Sequence, residues 1–238
     1  MSGGADLNPR SFDAYAAEYD AALQKGISVS GEDKDYFARG RIICLSKVLE
    51  TLGRKPASVL DFGCGTGTAS RFFKDILKPA SIVGVDVSAK SIEVARRTHE
   101  DPGMRFLLLN EHEPDGTFDL AFCNGVFHHI PTHERLSAID YVRRFLRPGG
   151  LFAFWENNPW NPGTRIVMSR IPFDRDAIML SAIQSRRLLR KGGFNILRTD
   201  FQFIFPRALA ALRGLERVFC KLPLGAQYQV LCRKTERN

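Results

Sequence analysis

Residues 59–67, VLDFGCGTG, constrain this chain more than any other stretch. Two apolar residues, Val59 and Leu60, run into the acid Asp61, and glycines then fall on alternate positions at 63, 65 and 67. A helix-compatible run from Thr68 to Leu77 follows, so the stretch predicts a buried strand, a glycine turn and a helix N-terminus. Glycines at such a turn let the backbone bend sharply and approach a ligand, because no Cβ stands in the way. The spacing is G-x-G-x-G, and Thr68 breaks the G-x-G-x-x-G of the dinucleotide fingerprint. A second apolar run, residues 81–86, ends in Asp86. An acid about 20 residues past a glycine turn, at the end of the next parallel strand, suits a pair of ribose hydroxyls.

Together with two later segments, these residues resemble the class I S-adenosylmethionine (SAM) dependent methyltransferases. VLDFGCGTG is similar to their first motif and VGVDVS, residues 83–88, to their second. FDLAFCNGVFHHIP, residues 118–131, is similar to their fourth strand and the turn after it. LRPGGL, residues 146–151, is similar to the entry into their fifth strand. The resemblance covers roughly residues 10 to 156 with specific motifs and the remainder by topology alone. It implies an α/β fold, with a doubly wound, seven-stranded, mostly parallel sheet, an antiparallel last strand, an N-terminal helical lid and an elaborated C-terminal third. One domain is expected over 1–238, with lid helices in 1–55, a cofactor-binding core in 56–156 and a substrate cap plus the remaining strands in 157–238.

Composition agrees with a folded α/β domain, at 44% hydrophobic and 25% charged residues. No apolar run approaches the ~20 residues that span a bilayer. The N-terminus shows no apolar h-region, which leads us to expect a cytoplasmic protein. The five cysteines are scattered without metal-like spacing, so reduced thiols and no bound metal are expected. The net charge of +8 is unevenly placed. Residues 1–164 carry 19 basic and 21 acidic side chains, whereas 165–238 carry 15 and 5. Such asymmetry suits a solvated face, a phosphate-bearing substrate or an anionic membrane surface.

Taken in order, residues 8–24 place Phe12, Tyr15, Ala16 and Tyr19 on one helical face. The resemblance implies that Tyr15 and Tyr19 contact the methionine end of SAM. Residues 25–31 read as a flexible joint and 32–52 as a second helix. At the sheet edge the resemblance assigns Asp61, Gly63, Cys64, Gly65, Gly67, Asp86, Val87 and Asn124 to the cofactor. Asn110 and Glu111 stand where the family commonly places an adenine-binding Asp. Strands are expected over 104–109, 117–123 and 151–156, with Ser88 and Thr132 as helix N-caps. Two adjacent histidines on an ordinary turn should diverge, one facing the site and one packing. His129 is preferred as the base, because the second position of such a pair is the commoner match in similar enzymes; His128 and Glu156 are the other catalytic candidates.

The two prolines, one glycine and three asparagines of residues 156–165 predict a long ordered loop, read as a substrate cap carrying Trp160 and Arg165. Asn158-Pro-Trp160 lacks one proline of the base-methylating N-P-P-[YFW] motif and falls after the wrong strand, so it reads as a chance match. Residues 176–192 predict a basic amphipathic helix, 194–205 a sixth strand, 206–222 a helix with a basic stripe, and 225–234 the last strand. The stripe is either packed on the domain or laid on anionic lipid.

The function expected from this pattern is methyl transfer from SAM, leaving S-adenosylhomocysteine, to a small or lipid-like acceptor by in-line displacement, with a histidine as base. A non-catalytic SAM-binding protein and a nucleic-acid methyltransferase are the alternatives. The missing base-reading motif and the lack of a separate RNA-binding domain argue against the latter. An NAD-type dehydrogenase would need the other glycine spacing.

Overall fold

A computed structural model describes residues 19–99, 101–174 and 177–235. Its strands are β1 Ser58–Phe62, β2 Ser81–Asp86, β3 Met104–Leu108, β4 Phe118–Asn124, β5 Leu146–Asn157, β6 Phe194–Gln202 and β7 Gln227–Lys234. They form one sheet in the order β3-β2-β1-β4-β5-β7-β6. β3, β2, β1, β4 and β5 pair in parallel, while β7 lies antiparallel to both β5 and β6. The winding reverses between β1 and β4, so the crevice for a ligand opens there, past the strands' carboxyl ends.

The helices are α1 Tyr19–Ile27, α2 Lys34–Thr51, α3 Thr68–Phe72, α4 Ala89–Thr98, α5 Arg135–Phe145, α6 Pro162–Arg170, α7 Ala182–Lys191 and α8 Glu216–Phe219. Strand alternation decides which side of the sheet each one covers. Leu60, Phe62, Ala121, Cys123, Phe152 and Phe154 share a core with α5 and α7. Their neighbours Val59, Leu120, Phe122, Ala153 and Trp155 share the opposite core with α2. Ser88 accepts from the Ser91 amide and caps α4, as the sequence suggests. All five cysteines are free thiols.

Several boundaries depart from the sequence reading. Residues 25–31 are not a joint: α1 runs to Ile27 and a 3-10 turn, Ser28–Ser30, carries the chain on to Gly31, which takes a positive φ. Thr132 does not cap α5, which begins after Glu134 with no side-chain cap. The supposed cap loop contains α6, because Pro162 suits the first turn and Asn161 accepts from the Thr164 amide. The basic helix is shorter than expected and starts at the Ser181–Gln184 capping box. Residues 206–222 form a 3-10 stretch, Arg207–Leu215, and then the single turn of α8, with non-helical backbone at Leu209. β5 is longer than expected, joining β4 already at Leu146 before a register shift. Tyr15 and the aromatic face before it lie outside the described residues, and Tyr19 opens α1.

Candidate active site

A cavity of about 440 Å³ opens at the β1/β4 reversal. Its floor is the glycine turn with Asp61, Phe122, Asn124 and Gly125, and one wall holds His128, His129 and Asp174. Much of the remaining lining is apolar, from Ile27, Phe37, Met168, Ile171, Phe203 and Phe205 among others.

The glycine turn is built as the spacing predicts. Gly63, Gly65 and Gly67 all have positive φ, where a side chain is strained. A Cβ on Gly63 would meet Val126 at 2.4 Å, but one on Gly65 would meet nothing within 4 Å, so the open side of Gly65 faces the cavity. Asp86 holds the turn: its Oδ2 accepts from the Gly65 amide at 2.8 Å and its Oδ1 from Ser88 at 2.9 Å. Asp61 is buried and accepts from Ser70 Oγ at 2.7 Å. Burial pushes its carboxyl up to about 7; the Ser70 bond opposes this, the charge of Asp86 adds to it, and Arg41 counters. The open glycine cradle and the two neighbouring carboxyls, Asp61 and Asp86, are chemistry that fits SAM.

The two histidines do not diverge. Their ring centroids are 4.1 Å apart and both rings face Asp174. His128 is almost wholly buried, its Nδ1 2.6 Å from Glu156 Oε2 and its Nε2 in a looser ion pair, 3.5 Å from Asp174 Oδ1. Burial alone would lower its pKa, but the charges and hydrogen bonds of Glu156 and Asp174 overcome this and hold it up to about 10. His128 is therefore clamped between two carboxylates, surroundings that favour its protonated form. Glu156 spends its other oxygen on the Phe127 amide, at 2.8 Å, and so fixes the turn. His129 is the more open of the pair, with its Nε2 3.2 Å from Asp174 Oδ1. Burial would raise the Asp174 carboxyl, but bonds from both histidines hold it below the usual carboxylate range.

Asp61, Gly63, Cys64, Gly65, Asn124, His128 and His129 meet at this cavity, with Asp86 outside its lining but hydrogen-bonded to Gly65. Gly67 caps α3 instead, and Val87, Asn110 and Glu111 lie outside the lining. Asn110 and Glu111 are exposed, and Glu111 accepts from the Leu108 amide. Trp160 and Arg165 are exposed and do not line the cavity; Asn161, Thr164, Val167 and Met168 of the same segment do. The asparagines there act as a clasp. Asn158 Nδ2 donates to the carbonyls of Pro223 and Gly225, and Asn161 Nδ2 to that of Leu224.

Sequence reasoning missed Asp174, Arg41 and Gln227. Arg41 is buried and donates to Gln227 Oε1 at 2.9 Å, while Gln227 Nε2 donates to Asn157. The only trace of Asp174 in the sequence is an acid downstream of the cap, at no fixed spacing from the histidines.

Residues 59–150 match a family model described as a methyltransferase domain. With the motifs and the fold, that matched stretch is similar to the class I, Rossmann-like, SAM-dependent methyltransferases. Among its relatives, a trans-aconitate 2-methyltransferase of Deinococcus radiodurans is 35% identical over 100 residues, 42% of this chain and 38% of that protein. A demethylmenaquinone methyltransferase of Thermus thermophilus is 28% identical over 68% of this chain and 74% of its own length. The chain spans less than half the length of the trans-aconitate 2-methyltransferases it matches. Among solved structures, magnesium protoporphyrin IX methyltransferase from Synechocystis PCC 6803, with SAH bound, has a TM-score of 0.65 at 17% identity, covering 95% of this chain and 98% of that one.

Proposed function

We propose that the chain transfers a methyl group from SAM to a small, largely apolar acceptor whose reacting atom carries a removable proton. The observation that carries this reading is the junction in one cavity of an open glycine cradle, an apolar chamber and a histidine–carboxylate wall. SAM supplies a methyl carbon already made electrophilic by its sulfonium.

The rest is positioning and proton handling by this chain. Asp86, which holds Gly65, would receive ribose hydroxyls, and Asp61 would hold the amino group. The apolar chamber orients the acceptor and keeps water out; holding two reactants in line can supply most of the acceleration. His129 takes the acceptor proton. Its Nε2 faces Asp174, which makes Nδ1 the nitrogen to act as base, and Asp174 stabilises the imidazolium that forms. His128 and Glu156 hold Asp174 and the β4 turn in register. A base of this kind contributes roughly 10²–10⁴-fold.

The test is calorimetric titration with SAM, S-adenosylhomocysteine and NAD, on the native protein and Asp86→Ala, followed by labelled-methyl transfer to amphiphilic phenols and lipid-linked acceptors. Binding of the first two ligands, weakened by the substitution, with label recovered in an acceptor supports the reading. Binding of NAD alone refutes it, and SAM binding without transfer to any acceptor points to a non-catalytic binding protein.

A further inference from the structure

Residues 206–224 pose a physical problem that the domain core does not solve. Not one of the nineteen is buried, yet Leu209, Leu212, Leu215, Val218, Leu222 and Leu224 are 41–73% exposed. Scattered surface leucines are ordinary, but six in one short segment is an exposed apolar patch that marks an interaction surface. Trp160, 50% exposed, belongs to the same rim, because its loop is clasped to Pro223, Leu224 and Gly225 through Asn158 and Asn161. The rim also frames the cavity, whose lining includes Phe205, Pro206 and Arg213.

Charge selects the occupant. The segment carries Arg207, Arg213, Arg217 and Lys221 against one acid, Glu216. That acid is turned inward, with its Oε1 accepting from the amides of Ile204 and Phe205. Arg213 pairs with Glu32 and Lys221 with Asp200, whereas Arg207 and Arg217 are exposed beside the leucines. A nucleic acid would use the cations and leave the leucines in water. A second copy in a two-fold contact would set this basic face against itself. An anionic bilayer accepts both, with aliphatic side chains and Trp160 in the headgroup boundary and arginines on the phosphates. No helix among the described residues is long and apolar enough to cross a membrane, so the contact is peripheral.

We propose that the rim formed by residues 206–224 and Trp160 docks on an anionic lipid bilayer, with the cavity mouth turned towards it. The inference stands apart from methyl transfer, since it would hold for any apolar ligand drawn from the bilayer.

The experiment is co-sedimentation of the full chain with vesicles of phosphatidylcholine alone and of phosphatidylcholine mixed with phosphatidylglycerol, with sedimentation velocity run in parallel. The native protein should bind the mixed vesicles, and raising salt should weaken that binding. Val218→Glu should lower it at least about tenfold by removing a valine that the bilayer would bury, and Arg217→Gln about fivefold by removing one cation near the surface. Both variants should keep native circular dichroism and native SAM affinity. Native protein that ignores both vesicle types, or Val218→Glu protein that binds as well as native, would overturn the proposal. A native dimer that Val218→Glu splits, without vesicle binding, would assign the face to a second copy instead.

Discussion

Replacing His128 by alanine removes the cation from between two buried carboxylates. Glu156 then keeps the Phe127 amide as a donor, with its side chain wholly out of contact with water. Breaking a buried pair by deleting one partner costs about 3–5 kcal/mol, because the remaining charge is uncompensated. For a chain of this length each kcal/mol lowers Tm by about 2–4 °C, so a fall of about 6–20 °C is expected. Thermal unfolding followed by circular dichroism at neutral pH measures it.

The pH dependence gives an independent check. His128 is held up to about 10 in the fold, above its ordinary 6.5. A raised histidine binds its proton more tightly folded than unfolded, so its stabilisation is complete below the unfolded pKa and is lost as the pH climbs through the folded one. The gap between native and His128→Ala should therefore be widest below about 6.5 and narrow towards 10. Adding Glu156→Gln to His128→Ala should recover stability, because the orphaned charge goes with it; the cycle of single and double variants reads the coupling directly. A Tm within about 2 °C of native, or a gap that does not change with pH, would refute the clamped imidazolium.

Four further outcomes test the site. With a hydroxyl or acidic-carbon acceptor, His129→Ala should lower kcat by roughly 10²–10⁴-fold and leave SAM affinity near native, read by single-turnover transfer and calorimetry. Asp86→Ala should weaken SAM binding at least about a hundredfold in the same calorimeter, since it removes hydrogen bonds to a charged acceptor and frees the glycine turn. Asp61, held up to about 7 chiefly by burial, keeps its proton in the fold over a pH range where it is lost on unfolding. Stability of the unliganded chain should thus fall as pH rises from about 4 to 7, and Asp61→Asn should abolish that fall and raise Tm at pH above 7. The donor atoms of His128, His129 and Asp174 lie within 4.8 Å of one another, a spacing a cation can also use. If His129 is the base, dialysis against a chelator leaves turnover unchanged; a loss restored by a divalent ion would instead make the cluster a metal centre.

What the sequence made legible was whatever depends on local chemistry. The glycine turn, Asp86 and the alternating strands are written in adjacent residues, because backbone sterics and a period of two act over short distances. The cap was misread because its prolines and asparagines are equally the signature of a loop and of a capped helix start; Pro162 behind Asn161 is the second. The clasp of Asn158 and Asn161 was invisible for a different reason: its partners are backbone carbonyls over 60 residues away. The same holds for the stacked histidines. Ordinary turn geometry predicts divergence, and only a carboxylate arriving from beyond α6 draws both rings to one side.

That long-range assembly has a consequence for how the site works. Glu156 comes from the end of β5, the histidines from the turn after β4, and Asp174 from the segment behind α6. The first two are fixed by the parallel pairing of β4 with β5, which extends to Asn124 and Trp155. Asp174 has no strand to hold it; α6 before it is seated by Asn161 and Thr164 on the 224–226 backbone, and after it Ile178 donates to the His128 carbonyl. The histidine–carboxylate wall thus draws on the seating of α6, and the clasp that seats it lies next to the exposed Trp160, Leu222 and Leu224. A contact that pressed on that rim would act on the same hydrogen bonds that place Asp174. The position of α6 and the geometry of the histidine–carboxylate wall are for that reason linked in this chain.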